Sequence, residues 1–127
     1  DIKSKIRIKQ SVNYNGKPSQ TYFKEIEKIK NYSIVEIRPF TGRTHQIRVH
    51  AAFIGCSILG DKLYGLPKDG FINWLNEGDN YLRSKNFPLH RQLLHSLEIR
   101  FPHPMTNKDT IIRARENNFM KALNNHF

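Results

Sequence analysis

Cysteine is nearly missing from this chain: Cys56 is the only one in 127 residues. One thiol excludes an internal disulfide and any metal cluster built on several cysteines. Set between Gly55 and Ser57 beside apolar residues, Cys56 reads as a small core residue rather than a nucleophile. Acidic residues are scarce too, eleven against twenty-one Lys and Arg, for a net charge of +10. No apolar run approaches the length needed to cross a bilayer, and no secretory leader pattern is visible. The expected compartment is therefore the cytoplasm. A nucleophile elbow, a phosphate-binding loop and a dinucleotide fingerprint are all absent, which argues against a small-molecule nucleotide enzyme. His45 and His50 stand five apart, as do His90 and His95. Neither spacing puts two imidazoles on one helical face, so no metal is expected.

What remains is basic and foldable. Eight Phe, five Tyr and one Trp, with 38% hydrophobic residues, fit a globular chain of one domain. The positive charge points to a polyanionic partner: nucleic acid first, an anionic membrane surface second.

Along the chain, Lys3 to Gln10 alternates cations with Ile6 and Ile8, the pattern of a half-buried strand. Tyr14 to Pro18 carries turn chemistry. Thr21 to Ile29 is strand-like, though its Lys and Glu content leaves a helix open; Asn31 marks a turn, and Ser33 to Arg38 is a β-branched strand. The three strands read as an antiparallel meander. Thr44 is placed to cap a helix reaching about Ile54, stopped by Gly55, with Ile47, Ala51 and Ile54 on one face. Ile58 to Gly65 is rich in turns. Residues 67–86 are polar and uneven, a variable insertion with a short helix around Trp74 and Leu75. Leu93 to Phe101 and Thr110 to Ala114 read as strands, and Glu116 to Asn125 as a terminal helix.

The densest chemistry lies in Pro39-Phe40-Thr41-Gly42-Arg43-Thr44-His45-Gln46-Ile47-Arg48-Val49-His50. Two arginines at a helix start can grip anions, because free N–H groups and the dipole favour negative charge there. Arg43 and Arg48 are five apart and need not share a target. One could meet a phosphate and the other a carboxylate. Equally, both could be surface groups or bridge to Glu residues of the sheet.

The run Arg38 to His50 resembles the hallmark motif of the RluA-type pseudouridine synthases. Gly55 to Gly65 resembles that family's G-x-P-I-x-G-D-x-x-Y stretch, with Ser57 where proline is usual. His90-Arg91-Gln92-Leu93-Leu94-His95-Ser96, followed by Phe101-Pro102-His103-Pro104, resembles its H-R-Q-x-L-H-A … F-x-H-P ending. Gly16 to Tyr22 fits the strand entry upstream, so the resemblance spans nearly the whole chain.

The resemblance implies an RNA pseudouridine synthase, isomerising uridine in ribosomal or transfer RNA without a cofactor, on a nucleotide flipped from its stack. It implies that Arg48 pairs with a nucleophilic aspartate and keeps it ionised. Arg43 would meet an RNA phosphate, and Thr44, His45 and Gln46 would shape the helix start and share in RNA contact. The family's aspartate belongs to an H-R-L-D-x-x-T-S-G motif. None of Asp1, Asp61, Asp69, Asp79 and Asp109 has that context, and Asp61 is expected to make structural hydrogen bonds. The chain is thus expected to be the C-terminal part of a synthase catalytic domain, inactive alone. Its fold is expected to be α+β, a mixed, largely antiparallel sheet with flanking helices. Separation from a missing half would leave a sheet edge and apolar surface open to self-association. A non-catalytic RNA-binding module reusing this fold is the alternative; a DNA-binding domain has no recognition-helix pattern behind it.

Overall fold

The computed structural model describes residues 6–87 and 91–115. In chain order the elements are β1 (Thr21–Ile29), β2 (Tyr32–Pro39), α1 (Gln46–Phe53), α2 (Gly70–Glu77), α3 (Asp79–Ser84), β3 (Glu98–Pro102) and β4 (Asp109–Arg113). The class is α+β. In place of one mixed sheet, the described residues form two antiparallel pairs, β1 with β2 and β3 with β4.

The first hairpin follows from its residues. Aromatic and β-branched side chains suit an extended backbone, and the Lys and Glu between them stay exposed. Ile29 pairs with Tyr32 across the two-residue turn Lys30–Asn31, with Lys30 in the left-handed region at φ 53. A bulge between Glu25 and Glu27 leaves Ile26 as the extra residue. The third strand of the expected meander does not form over residues 6–10. Lys9 N–H closes a turn onto Ile6 O, and Gln10 N–H donates to the Tyr64 hydroxyl rather than to a ladder. Residues 1–5 lie outside the described residues, as does the expected terminal helix at 116–125.

Helix α1 packs against both strands of this hairpin. It starts one residue later than expected. The N-cap is His45, not Thr44; it adopts a left-handed conformation at φ 56 and makes no side-chain cap. Gly55, at φ 80, ends the helix as its position suggested. The buried residues of α1 are Gln46, Val49 and Ala51. Ile54 is 58% exposed, because it is already the C-cap and the helical period stops before it. Cys56 is exposed rather than in the core, past the helix end where its N–H bonds back to Ala51 O.

The segment read as an insertion with one short helix holds two, α2 and α3, joined at Gly78 with φ 64. Tyr81 and Leu82 of α3 join Val49, Ala51 and Leu63 in a small apolar core. The strand expected from Leu93 begins only at Glu98, because Leu93 N–H is spent on Leu59 O at 2.8 Å. That bond lies beside Gly60, whose backbone is pressed against Arg91. A Cβ on Gly60 would lie 2.0 Å from Arg91 O, and its φ is +80. Both the clash and the backbone angle oppose any side chain there. Gly60→Ala is expected to cost about 2–3 kcal/mol of stability. Chemical denaturation of the protein carrying this chain checks it, and wild-type stability would contradict the close approach.

Candidate active site

Two loops and a helix converge on Arg48. The loop Thr41 to Thr44 is held by the side chain of Gln46, which is 6% exposed. Gln46 Nε2 donates to Gln20 O at 2.8 Å and to Thr21 Oγ1 at 2.9 Å. Gln46 Oε1 accepts from Thr41 Oγ1 at 2.7 Å and from Arg43 N–H at 3.1 Å. Its hydrogen-bonding capacity is filled within the chain, so Gln46 builds the loop and is not presented to a ligand. Arg43 and Thr44 are exposed at the rim, with Arg43 Nε 3.5 Å from Pro18 O. His50 is turned back to the hairpin, with Nδ1 2.9 Å from Thr21 Oγ1 and Nε2 3.0 Å from Ser19 Oγ.

Arg48 leaves the apolar side of α1 and meets Asp61. Its Nε lies 2.7 Å from Oδ2 and its Nη2 lies 2.8 Å from Oδ1, a two-pronged charge-assisted pair. Thus Arg48 has a carboxylate partner inside this chain. Asp61 is 1% exposed, and its Oδ1 also accepts the backbone N–H groups of Leu63 and Tyr64 at 3.0 and 3.2 Å. The turn therefore fixes the carboxylate, and the carboxylate fixes the guanidinium. A fork engaged through Nε and Nη2 directs its Nη1 N–H bonds away from Asp61. The guanidinium also sits 5.0 Å from the centre of the Tyr64 ring.

Charge balance at the site follows from this geometry. Burial alone would push the Asp61 carboxyl up. The Arg48 hydrogen bonds, with the N–H groups of Tyr64 and Leu63, outweigh burial and hold it below its ordinary value. The same contact, chiefly its hydrogen bonds, raises Arg48. His45 is lowered, first by burial and then by the neighbouring Arg48 charge, so it is neutral near pH 7. Its Nδ1 lies 3.0 Å from the Tyr64 hydroxyl, which accepts from Gln10 N–H. The Tyr64 hydroxyl thus bridges His45 and the backbone at Gln10. Burial, the largest influence, raises Tyr64 and keeps it a phenol.

Arg48 and His45 stand between two clefts. One, of about 220 Å³, runs past Thr41, Arg43 and Gln46 to Leu94. The other, of about 330 Å³, is walled by Asp61, Lys62, Phe71, Trp74 and Gln92. Sequence reasoning reached Arg43, Thr44, His45, Gln46 and Arg48 but missed the pairing of Arg48 with Asp61. The available signal was a lone Asp in a Gly-Asp turn shortly after a basic helix. Among the described residues no group of three or more His, Cys, Asp or Glu could hold a metal ion.

Comparison with known proteins gives these features a setting. Residues 1–53 match the model of the RNA pseudouridylate synthase family. The chain is 40% identical over 113 residues to ribosomal large subunit pseudouridine synthase C of Vibrio vulnificus, covering 89% of this chain and 32% of that protein. It is 45% identical over 102 residues to ribosomal large subunit pseudouridine synthase D of Buchnera aphidicola, covering 80% of this chain and 31% of that protein. Synthase D of Zymomonas mobilis is 35% identical over 108 residues, covering 85% and 31%. The chain spans about a third of the length of these relatives.

Asp61→Asn removes the charge that Arg48 is built around and is expected to cost about 3 kcal/mol near pH 7. The acid side follows from the signs. Lowered folded-state values for His45 and Asp61 mean the unfolded chain binds more protons, so stability rises with pH. The His45 contribution is fully present above about pH 6.5 and lost below it; that of Asp61 is lost below about pH 3.9. Urea midpoints across pH 3–8 check both. An Asp61→Asn variant as stable as wild type at pH 7 would contradict the pairing.

Proposed function

The chain belongs to the RNA pseudouridine synthase family, and on that premise we propose that it supplies the arginine side of a ribosomal RNA uridine isomerisation site. The reaction breaks the bond between N1 of uracil and C1′ of ribose, turns the base, and forms the bond from C5 to C1′. The proton displaced from C5 leaves to solvent, and N1 is protonated. An aspartate is the nucleophile, and it requires an ionised, correctly aimed carboxylate.

The observation that carries the proposal is the bidentate hold of Asp61 on Arg48. Asp61 itself is unsuited to attack, being 1% exposed and bound by four donors. Its task is to aim Arg48. The remaining N–H bonds of Arg48 then serve a second carboxylate, the nucleophile, contributed from outside these 127 residues. This chain alone is therefore inactive. Arg43 and Thr44, exposed at the rim beside the smaller cleft, would meet the phosphates flanking the flipped uridine. The net charge of +10 favours that polyanion.

Tritium release from C5-labelled uridine in large-subunit ribosomal RNA tests the assignment in the protein carrying this chain. Arg48→Lys keeps the charge and loses the planar fork. It is expected to lower kcat by about 100-fold with KM nearly unchanged, since positioning acts in the chemical step. Wild-type turnover in Arg48→Lys would refute the role of the fork. RNA binding without tritium release by the wild type would instead support a non-catalytic RNA-binding module.

A further inference from the structure

The larger cleft has a chemistry that the isomerisation site does not use. Its outer wall is α2, which places Phe71 and Trp74 on one face at a spacing of three. Their rings are tilted at 49° with centres 5.6 Å apart, and both are only partly buried. Lys62, from the turn after Asp61, holds its ammonium 5.2 Å from the centre of the Trp74 ring. The indole N–H of Trp74 is buried and unpartnered among the described residues. What Trp74 shows the cleft is therefore its ring rather than its donor. The inner wall is Arg48 and His45, shared with the smaller cleft. Among the described residues, Asp61 is the one acid lining the larger cleft, and Arg48 occupies it.

Aromatic faces beside cations, with the nearby negative charge neutralised, suit a nucleobase carrying a phosphate. Cations and nucleobases both favour an aromatic face. A base laid on Trp74 therefore has the Lys62 charge beside it for the phosphate of the same nucleotide.

We propose that the cleft between α2 and the Asp61–Leu63 turn is a stacking subsite for one unpaired nucleotide of the RNA, adjacent to the target uridine. Its base lies on Trp74 and Phe71, and its phosphate on Lys62. Arg48 stands as the partition between this nucleotide and the isomerised one. Since the indole N–H is not offered, the subsite reads an unstacked base of any identity rather than a sequence. It therefore selects loops over paired stems. This inference rests on the RNA reading above and extends it.

The probe is a single-stranded cytidine dodecamer carrying one 5-iodocytidine, which the uridine chemistry leaves untouched. Irradiated with the protein carrying this chain, it is expected to crosslink to Phe71 or Trp74, read by mass spectrometry of the peptide. Trp74→Leu is expected to weaken binding of the fluorescein-labelled dodecamer about tenfold. Trp74→Phe should restore it to within about threefold of wild type. Crosslinks confined to other residues, together with an unchanged affinity of Trp74→Leu, would overturn the subsite and leave the RNA reading intact. Absence of wild-type binding to both the dodecamer and large-subunit ribosomal RNA would overturn both.

Discussion

The buried pair between Arg48 and Asp61 is the constraint to which the rest of the site is fitted. A carboxylate taken fully out of water is tolerated only with a charged partner and further donors. Arg48, Leu63 and Tyr64 supply them. Satisfying Asp61 locks the turn that contains it, and that turn places Leu63 in the core and Tyr64 under the guanidinium. The same requirement draws Arg48 off the apolar side of α1, so one electrostatic demand sets the helix orientation and the aim of its guanidinium.

The helix start reflects a related trade. A left-handed His45 without a side-chain cap costs of order 1–3 kcal/mol of backbone strain. It lets the Thr41–Thr44 loop fold back so that Gln46, rather than a capping hydroxyl, takes up the loose backbone and hydroxyl groups. Strain at this point leaves Arg43 and Thr44 on the outside, where a polyanion can reach them, while Gln46 keeps the loop attached to β1.

Much of this was legible in the residues. The strand around 33–38, the helix stop at Gly55 and the strand near 110 follow from side-chain type and turn chemistry alone; the strand at 21–29 also needed its partner, since its Lys and Glu left a helix open. The failures have a common cause: local pattern was overridden by contacts distant in sequence. Ile6 and Ile8 alternate correctly for a strand, but Gln10 found Tyr64, 54 residues away. Leu93 and Leu94 look strand-forming, but the Leu93 N–H was claimed by Leu59. Thr44 has the chemistry of a cap, but the helix starts at His45 with no side-chain cap, and Gln46 instead ties the preceding loop to β1. At the site, the arginine was readable and its carboxylate was not. Asp61 belongs to a separate turn, and only folding shows that its side chain points inward.

The bond from Leu93 N–H to Leu59 O, with Gly60 pressed on Arg91, ties together the two ends of a long excursion that includes α2 and α3. Everything between those ends is anchored at its base, where Asp61 holds Arg48. Closing a longer loop adds only about 0.6 kcal/mol for each doubling of length. The exposed parts of the excursion, outside Asp61, Leu63, Tyr81 and Leu82, can therefore change in length and sequence while the arginine stays in place. On the proposed reading, the aim of the arginine and the choice of RNA would be separable traits: one resides in the tether, and the other would be free to diverge beyond it.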